Sequence, residues 1–186
     1  GANFVRAVEI LDVPDGKIVV AGLGKSGHVG RKIAATFCST GSPAVFMHAA
    51  EAVHGDLGVH QPGNPTIFLS NSGSTSELLA LVPILRGRGS SLVGILGNLD
   101  GVLAQKMDVT LDASVSREAD PLGIVPTASF VVTAALGDAL ASSLMHKRGF
   151  SEEDYDYTHP GGQLGRSWAL SVNDLMHPVE KVACCE

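Results

Sequence analysis

Between residues 17 and 111 the chain repeats one pattern: a short run of consecutive apolar residues, a turn of small residues, then apolar residues at helical spacing. Lys17-Ile18-Val19-Val20-Ala21-Gly22-Leu23 leads into Val29, Ile33, Ala34, Phe37 and Cys38. Residues 44–47, 66–69, 92–96 and 109–111 give further strand-like runs. Leu78, Leu79, Val82 and Leu85 form a helical stripe after Ser72-Gly73, and residues 101–107 read as a short helix. Runs that are apolar at every position need cover on both faces, and strands separated by helices pair in parallel. The pattern predicts an α/β fold with a parallel sheet between two layers of helix. Pro83 should kink its helix, because it has no N–H to give Leu79 and its ring crowds that carbonyl. Residues 127–148 read as a long apolar helix ended by Gly149, with Ser151-Glu152-Glu153-Asp154 starting another. Phe4, Val5, Val8 and Leu11 look like the tail of a helix that begins upstream.

Composition narrows the function classes. Among 186 residues, 45% are apolar and 17% charged, too apolar for a disordered chain. The net charge is −6 and the largest basic cluster is Lys147-Arg148, so a nucleic-acid partner is not expected. Cys38, Cys184 and Cys185 do not build a disulfide framework, which points to a reducing, cytoplasmic setting. The longest stretch without a charged residue or histidine, 121–137, holds two prolines and falls short of the ~20 apolar residues of a membrane span. No signal peptide opens the sequence and no membrane association is expected. After Gly165 the character changes, and residues 172–186 read as the start of a second region.

Three constellations carry chemistry. Gly22-Leu23-Gly24-Lys25-Ser26-Gly27-His28 turns from strand to helix and suits either a phosphate or close helix–sheet packing. It lacks the acidic residue near Met47 that a dinucleotide site needs. Ser70-Asn71-Ser72-Gly73-Ser74-Thr75-Ser76-Glu77 sets hydroxyls, an amide and a helix start at the carboxyl end of a parallel strand, a cradle suited to a phosphomonoester. Glu77 in the first helical turn favours the helix dipole or serves as a catalytic carboxylate. His48, Glu51, His54 and Asp56 invite a metal reading. His48 and His54 stand six apart, however, so no metal is required and at most an adventitious transition-metal site is expected there. Glu118 and His159 stand in loops rich in glycine and proline, where functional side chains and surface structure are both at home.

Taken together, Gly24 to His28, the His48 to Gly58 segment, Ser70 to Glu77, the Arg117 to Pro126 segment and His159-Pro160-Gly161-Gly162-Gln163-Leu164-Gly165-Arg166 resemble the sugar isomerase (SIS) domain. More narrowly they resemble the arabinose-5-phosphate isomerase family. The resemblance implies a five-stranded parallel sheet in a flavodoxin-like three-layer α/β/α domain over residues 1–171. It further implies a homotetramer with sites at subunit interfaces, and a pair of cystathionine-synthase-type (CBS) regulatory domains beginning at 172. It carries catalytic roles to Lys25, Glu77, Glu118 and His159, adds His54, and places the phosphate on Ser26, Ser70, Ser72 and Thr75, with Asn71 and Gly73 in the same loop. Two positions depart from the pattern. Ser74 stands where relatives often have Glu, and Asp120 where they often have Cys; Asp120 beside Glu118 is expected to raise that carboxylate's pKa.

The implied reaction interconverts D-ribulose 5-phosphate and D-arabinose 5-phosphate, supplying Kdo for lipopolysaccharide or capsule. It moves one proton between C1 and C2 through a cis-enediolate and needs no cofactor. A glutamate, by preference Glu118 over Glu77, is expected to be the base, with Lys25 on phosphate or oxygen and His159 on O1/O2 or ring opening. Three alternatives stay open: a non-catalytic phosphosugar sensor, an isomerase of another sugar phosphate, and a structural oligomerisation domain.

Overall fold

The structure is a computed structural model that describes residues 1–161 together with Met176 and His177. The chain folds as two compact units, Gly1–Gly149 and one that begins at Phe150. The boundary expected at 171–172 and the region expected from 172 lie outside the described residues, apart from Met176 and His177.

The first unit carries five strands, β1 (Ile18–Gly22), β2 (Ala44–His48), β3 (Thr66–Ser70), β4 (Leu92–Leu96) and β5 (Val109–Asp112). They pair in parallel in the order β2-β1-β3-β4-β5. Helices α1 (Ala2–Leu11), α2 (Gly24–Ser39), α3 (Ala49–Ala52), α4 (Ser76–Gly87) and α5 (Ala128–Lys147) connect or flank them. The expected three-layer fold is therefore present. Alternate strand residues feed opposite faces. Val20 and Ile67 join Leu11, Phe37 and Leu140 in one core, whereas Val19 and Phe68 join Leu78, Leu81 and Leu85 in the other. Every residue of β1, β3 and β4 is buried, as uninterrupted apolar runs demand. Each fully buried leucine or phenylalanine contributes about 1.5–3 kcal/mol.

Several details differ from the sequence reading. The short helix of residues 101–107 is one 3-10 turn, Ala104–Lys106. Helix α3 and the 3-10 turn Asp56–Val59 have no counterpart in the sequence pattern. The helix expected to kink at Pro83 continues to Gly87 as α4, with the proline ring on the exposed side where the Leu79 carbonyl can turn to water. Helix α5 is long and apolar enough to cross a membrane by length and composition alone, but Leu140, Ala141 and Leu144 lie wholly buried in the first core.

Because β1 lies between β2 and β3, the chain leaves β1 toward one side of the sheet and later returns to pair β3 on the other. The crevice at the carboxyl ends of β1 and β3 is the switch point at which open α/β sheets bind ligands.

Candidate functional site

The loop after β1 starts α2 at Leu23, whose extended backbone offers no side-chain cap. The choice between phosphate binding and packing divides residue by residue. A Cβ on Gly22 would press on the Ser26 backbone, and on Gly27 and Gly30 it would press on the Phe46 ring, so these three glycines serve close packing. Gly24 adopts φ +56° with open space around it and makes the turn. Lys25 is exposed and Ser26 half-buried at the first turn of α2.

The loop after β3 is built largely on its own hydroxyls. Ser70 is buried; its Oγ pairs with Thr75 Oγ1 at 2.8 Å and accepts the Gly73 N–H at 3.1 Å. Ser72 Oγ accepts from the Ser74 N–H and hydroxyl, each at 3.3 Å. Thr75 is the N-cap of α4, yet its side chain gives the helix no cap bond. The loop is strapped to the one after β4 by Gly97 N–H to Ser70 O and Leu103 N–H to Gly73 O. Gly73 sits at φ +66° against that loop, where a Cβ would overlap the Asn98 carbonyl oxygen. The hydroxyls expected to converge on a ligand thus spend much of their capacity fixing the loop's shape, while the helix start stays without a side-chain cap.

Lys25, Ser26 and Asn71 meet Pro126, Ser129 and Phe130 around a cleft of about 40 Å³. Its far wall is the start of α5, and Glu118 holds that wall. The Glu118 carboxylate accepts the Thr127 N–H at 2.8 Å, the Thr127 hydroxyl at 2.9 Å, the Ser129 N–H at 3.2 Å and the Ser129 hydroxyl. The Ser129 hydroxyl foremost, then the Thr127 amide, pull the Glu118 carboxyl down to about 2. The expected rise is therefore corrected to a fall. Asp120 does not crowd Glu118 as a free charge but folds into its own turn, accepting the Leu122 N–H at 3.0 Å and the Val125 N–H at 2.8 Å.

On the other side of the serine loop, Ser76, Glu77 and His54 line a second opening of about 400 Å³ with Ala49, Ala50 and Val53. His54 is exposed and Glu77 half-buried. The Glu77 backbone N–H, then the Ser76 hydroxyl at 2.9 Å, hold its carboxyl below the usual range, and the nearby His48 adds to this. Within this chain Lys25 and Glu77 therefore face different openings. His48 ends β2 beside Gly22 and sets its ring edge-on to Phe46. Among the described residues no three His, Cys, Asp or Glu side chains gather as a metal site, so the adventitious site at His48 and His54 has no third protein ligand there.

In the second unit, α6 (Glu152–Thr158) opens with a capping box between Ser151 and Asp154. His159 follows it, stacked on Tyr155 at 3.9 Å between ring centres, with Nδ1 2.8 Å from Tyr155 O. Sequence reasoning passes over Ser129 and Thr127. The available signal is a Thr-x-Ser start to a long helix with an acidic residue nine positions before it.

Known proteins are similar to this chain in sequence and fold. An arabinose 5-phosphate isomerase KdsD of Pseudomonas aeruginosa is 51% identical over 177 residues, covering 95% of this chain and 54% of the relative. The KdsD of Escherichia coli K12 is 48% identical over 180 residues, covering 97% of this chain and 55% of the relative. The chain thus spans about half the length of the curated relatives it matches. A solved structure of an E. coli CFT073 protein in complex with arabinose 5-phosphate superposes with a TM-score of 0.81 at 40% identity, covering 86% of this chain and 85% of that one. The SIS domain model matches residues 13–143, a span that takes in all five strands, both openings and most of α5. A match that includes the sheet, its switch point and the walls around it leaves one assignment, and the chain belongs to the SIS domain family.

Proposed function

We propose that this protein is an aldose–ketose isomerase that interconverts D-ribulose 5-phosphate and D-arabinose 5-phosphate. The observation that carries the reading is the switch-point crevice. There two helices, α2 and α4, follow β1 and β3 and begin without side-chain caps, and Lys25 in the first turn of α2 adds its charge, which makes an electropositive seat for a phosphate. Similarity to two arabinose 5-phosphate isomerases and to a chain bound to arabinose 5-phosphate supports a pentose as the remainder of the ligand.

The phosphate rests on the 70–76 loop, with Ser26, Ser72, Thr75 and the loop amides around it. One proton then moves between C1 and C2 through a cis-enediolate. Sugar and product share one oxidation level overall, so the reaction needs no external redox partner. Lys25 steadies the phosphate or the developing oxyanion. His159 acts on O1/O2 or opens the furanose ring, and His54 lines the substrate's approach. Glu77 and Glu118 are the two candidate bases.

Lys25 and Glu77 face different openings of one chain, and together with the family resemblance this supports a homotetramer whose sites are completed between subunits. The protein works in the cytoplasm on a small phosphosugar, with neither nucleic acid nor membrane as partner, and supplies Kdo synthesis for lipopolysaccharide or capsule. Residues from 172 belong to a CBS-type regulatory region. The test is NMR of ribulose 5-phosphate in D2O with the full-length protein. Arabinose 5-phosphate carrying deuterium at C2 is the expected product. Tight binding without product or exchange would make the protein a phosphosugar sensor instead.

A further inference from the structure

We infer that Ser129 is a substrate-contacting residue, a hydrogen-bond acceptor for a hydroxyl of the phosphosugar, and that Glu118 works through it as a positioning residue rather than taking the substrate's proton itself. The inference rests on the isomerase reading for the nature of the ligand.

Four donors hold the Glu118 carboxylate: two amides and two hydroxyls from the first turn of α5. A base must keep an oxygen lone pair aimed at the carbon acid and a pKa near the operating pH. Both Glu118 oxygens are instead turned to the protein, and its carboxyl lies near 2. An ionised carboxylate only accepts, so in the Ser129–Glu118 bond the serine must donate. Its single proton is then committed, and what the Ser129 hydroxyl still offers is its acceptor capacity.

Ser129 is 4% exposed and lines the cleft with Lys25, Ser26 and Asn71. An acceptor there repels a phosphate and suits a sugar hydroxyl, which must donate. Lys25 and the uncapped start of α2 on the opposite wall supply the complementary donors. Thr127 strengthens the fixation, since its hydroxyl both donates to Glu118 and accepts the Ala119 N–H at 2.7 Å, locking the two ends of the 119–127 segment together.

The experiment compares wild type, Ser129→Ala, Glu118→Gln and the double variant. Arabinose 5-phosphate binding is read by titration calorimetry, and C2 proton exchange in D2O by NMR across pH. Ser129→Ala keeps its amide bond to Glu118 and so leaves the helix start closed. Each single variant is expected to weaken binding about tenfold, the size of one hydrogen bond to a charged-group network. The double variant should fall no more than about threefold below either single, because both remove the same contact. At saturating substrate the exchange rate should fall no more than about tenfold in either single variant, and its pH profile should keep the wild-type shape. Unchanged binding in Ser129→Ala overturns the inference, and so does an additive double. A Glu118→Gln protein that binds normally but exchanges about a thousandfold more slowly makes Glu118 the base, and also overturns it. Should Glu118→Gln fail to fold, the binding of Ser129→Ala decides alone. A wild type that binds without exchanging sinks the isomerase reading yet leaves the Ser129 test intact, since that test reads affinity.

Discussion

Helices α4 and α5 both begin at the rim of the switch-point crevice, and they begin in opposite ways. The first residue before α4, Thr75, turns its hydroxyl away from its own helix to Ser70, leaving the N-terminal turn without a side-chain cap. The start of α5 is held by a carboxylate from nine residues upstream that accepts two amides and two hydroxyls. Helix starts are partial positive charges that bind anions. Where the anion is part of the protein, the helix start is a wall; where it is left to be supplied, the helix start is a seat. The same backbone chemistry thus yields a rigid helix start and a receptive one at the same end of the sheet. The residue that decides between them lies outside the helix in both cases.

The largest effect should come from closing the receptive side. In Gly73→Ala the new Cβ would overlap the Asn98 carbonyl oxygen at a left-handed backbone position. Neither neighbour is a flexible side-chain end, so the loop itself must move. The expected cost is at least about 2 kcal/mol of stability. Displacing the seat by an ångström should cost about a hundredfold in arabinose 5-phosphate affinity. Thermal melting and calorimetry read the two. A variant that folds and binds like wild type would show that the loop's position does not set the seat.

Ser70→Ala sharpens the comparison with a smaller change. It strips Thr75 of its partner and leaves the buried Gly73 N–H without its acceptor, at about 1–3 kcal/mol. The Thr75 hydroxyl then becomes available to cap α4 and to compete with a bound anion. Affinity should therefore fall roughly fivefold beyond what looser packing explains. An affinity equal to wild type would mean that the uncapped start of α4 is incidental.

The two sides differ in how far the sequence discloses them. The sheet was legible because β1, β3 and β4 are buried on both faces and must be apolar at each position, a pattern that no amphipathic element imitates. The serine loop was legible as a cradle because it follows a strand directly. What hydroxyls do inside it was not, since Ser70 and Thr75 satisfy each other and not a ligand. The role of Glu118 was hidden for a different reason. Its donors lie nine and eleven residues away across a loop, and only the folded turn of residues 120–125 brings them together. A neighbouring Asp120 suggested repulsion, whereas both acids are spent on backbone amides. Helix α3, four residues long, lacks the length to show a period at all.

The smallest effect on stability opens the rigid side. Glu118→Gln keeps an acceptor for part of the network but removes the charge, and an amide nitrogen cannot accept from the Ser129 or Thr127 donors. The thermal midpoint at neutral pH should drop by about 2–4 °C, the scale of losing a helix cap in a chain of this size. The pH dependence distinguishes charge from packing. In the folded protein the Glu118 carboxyl lies near 2, below its ordinary value of 4.5. The folded state therefore binds this proton less readily than the unfolded chain. That preference stabilises the fold fully above about pH 5 and is lost progressively as pH falls from 4.5 toward 2. The gap between wild type and Glu118→Gln should hence stay constant from pH 8 to 5 and close below it. A gap as wide at pH 3 as at pH 7 would mean that shape, and not the charge on the carboxylate, holds the start of α5, and the contrast with α4 would then be one of packing alone.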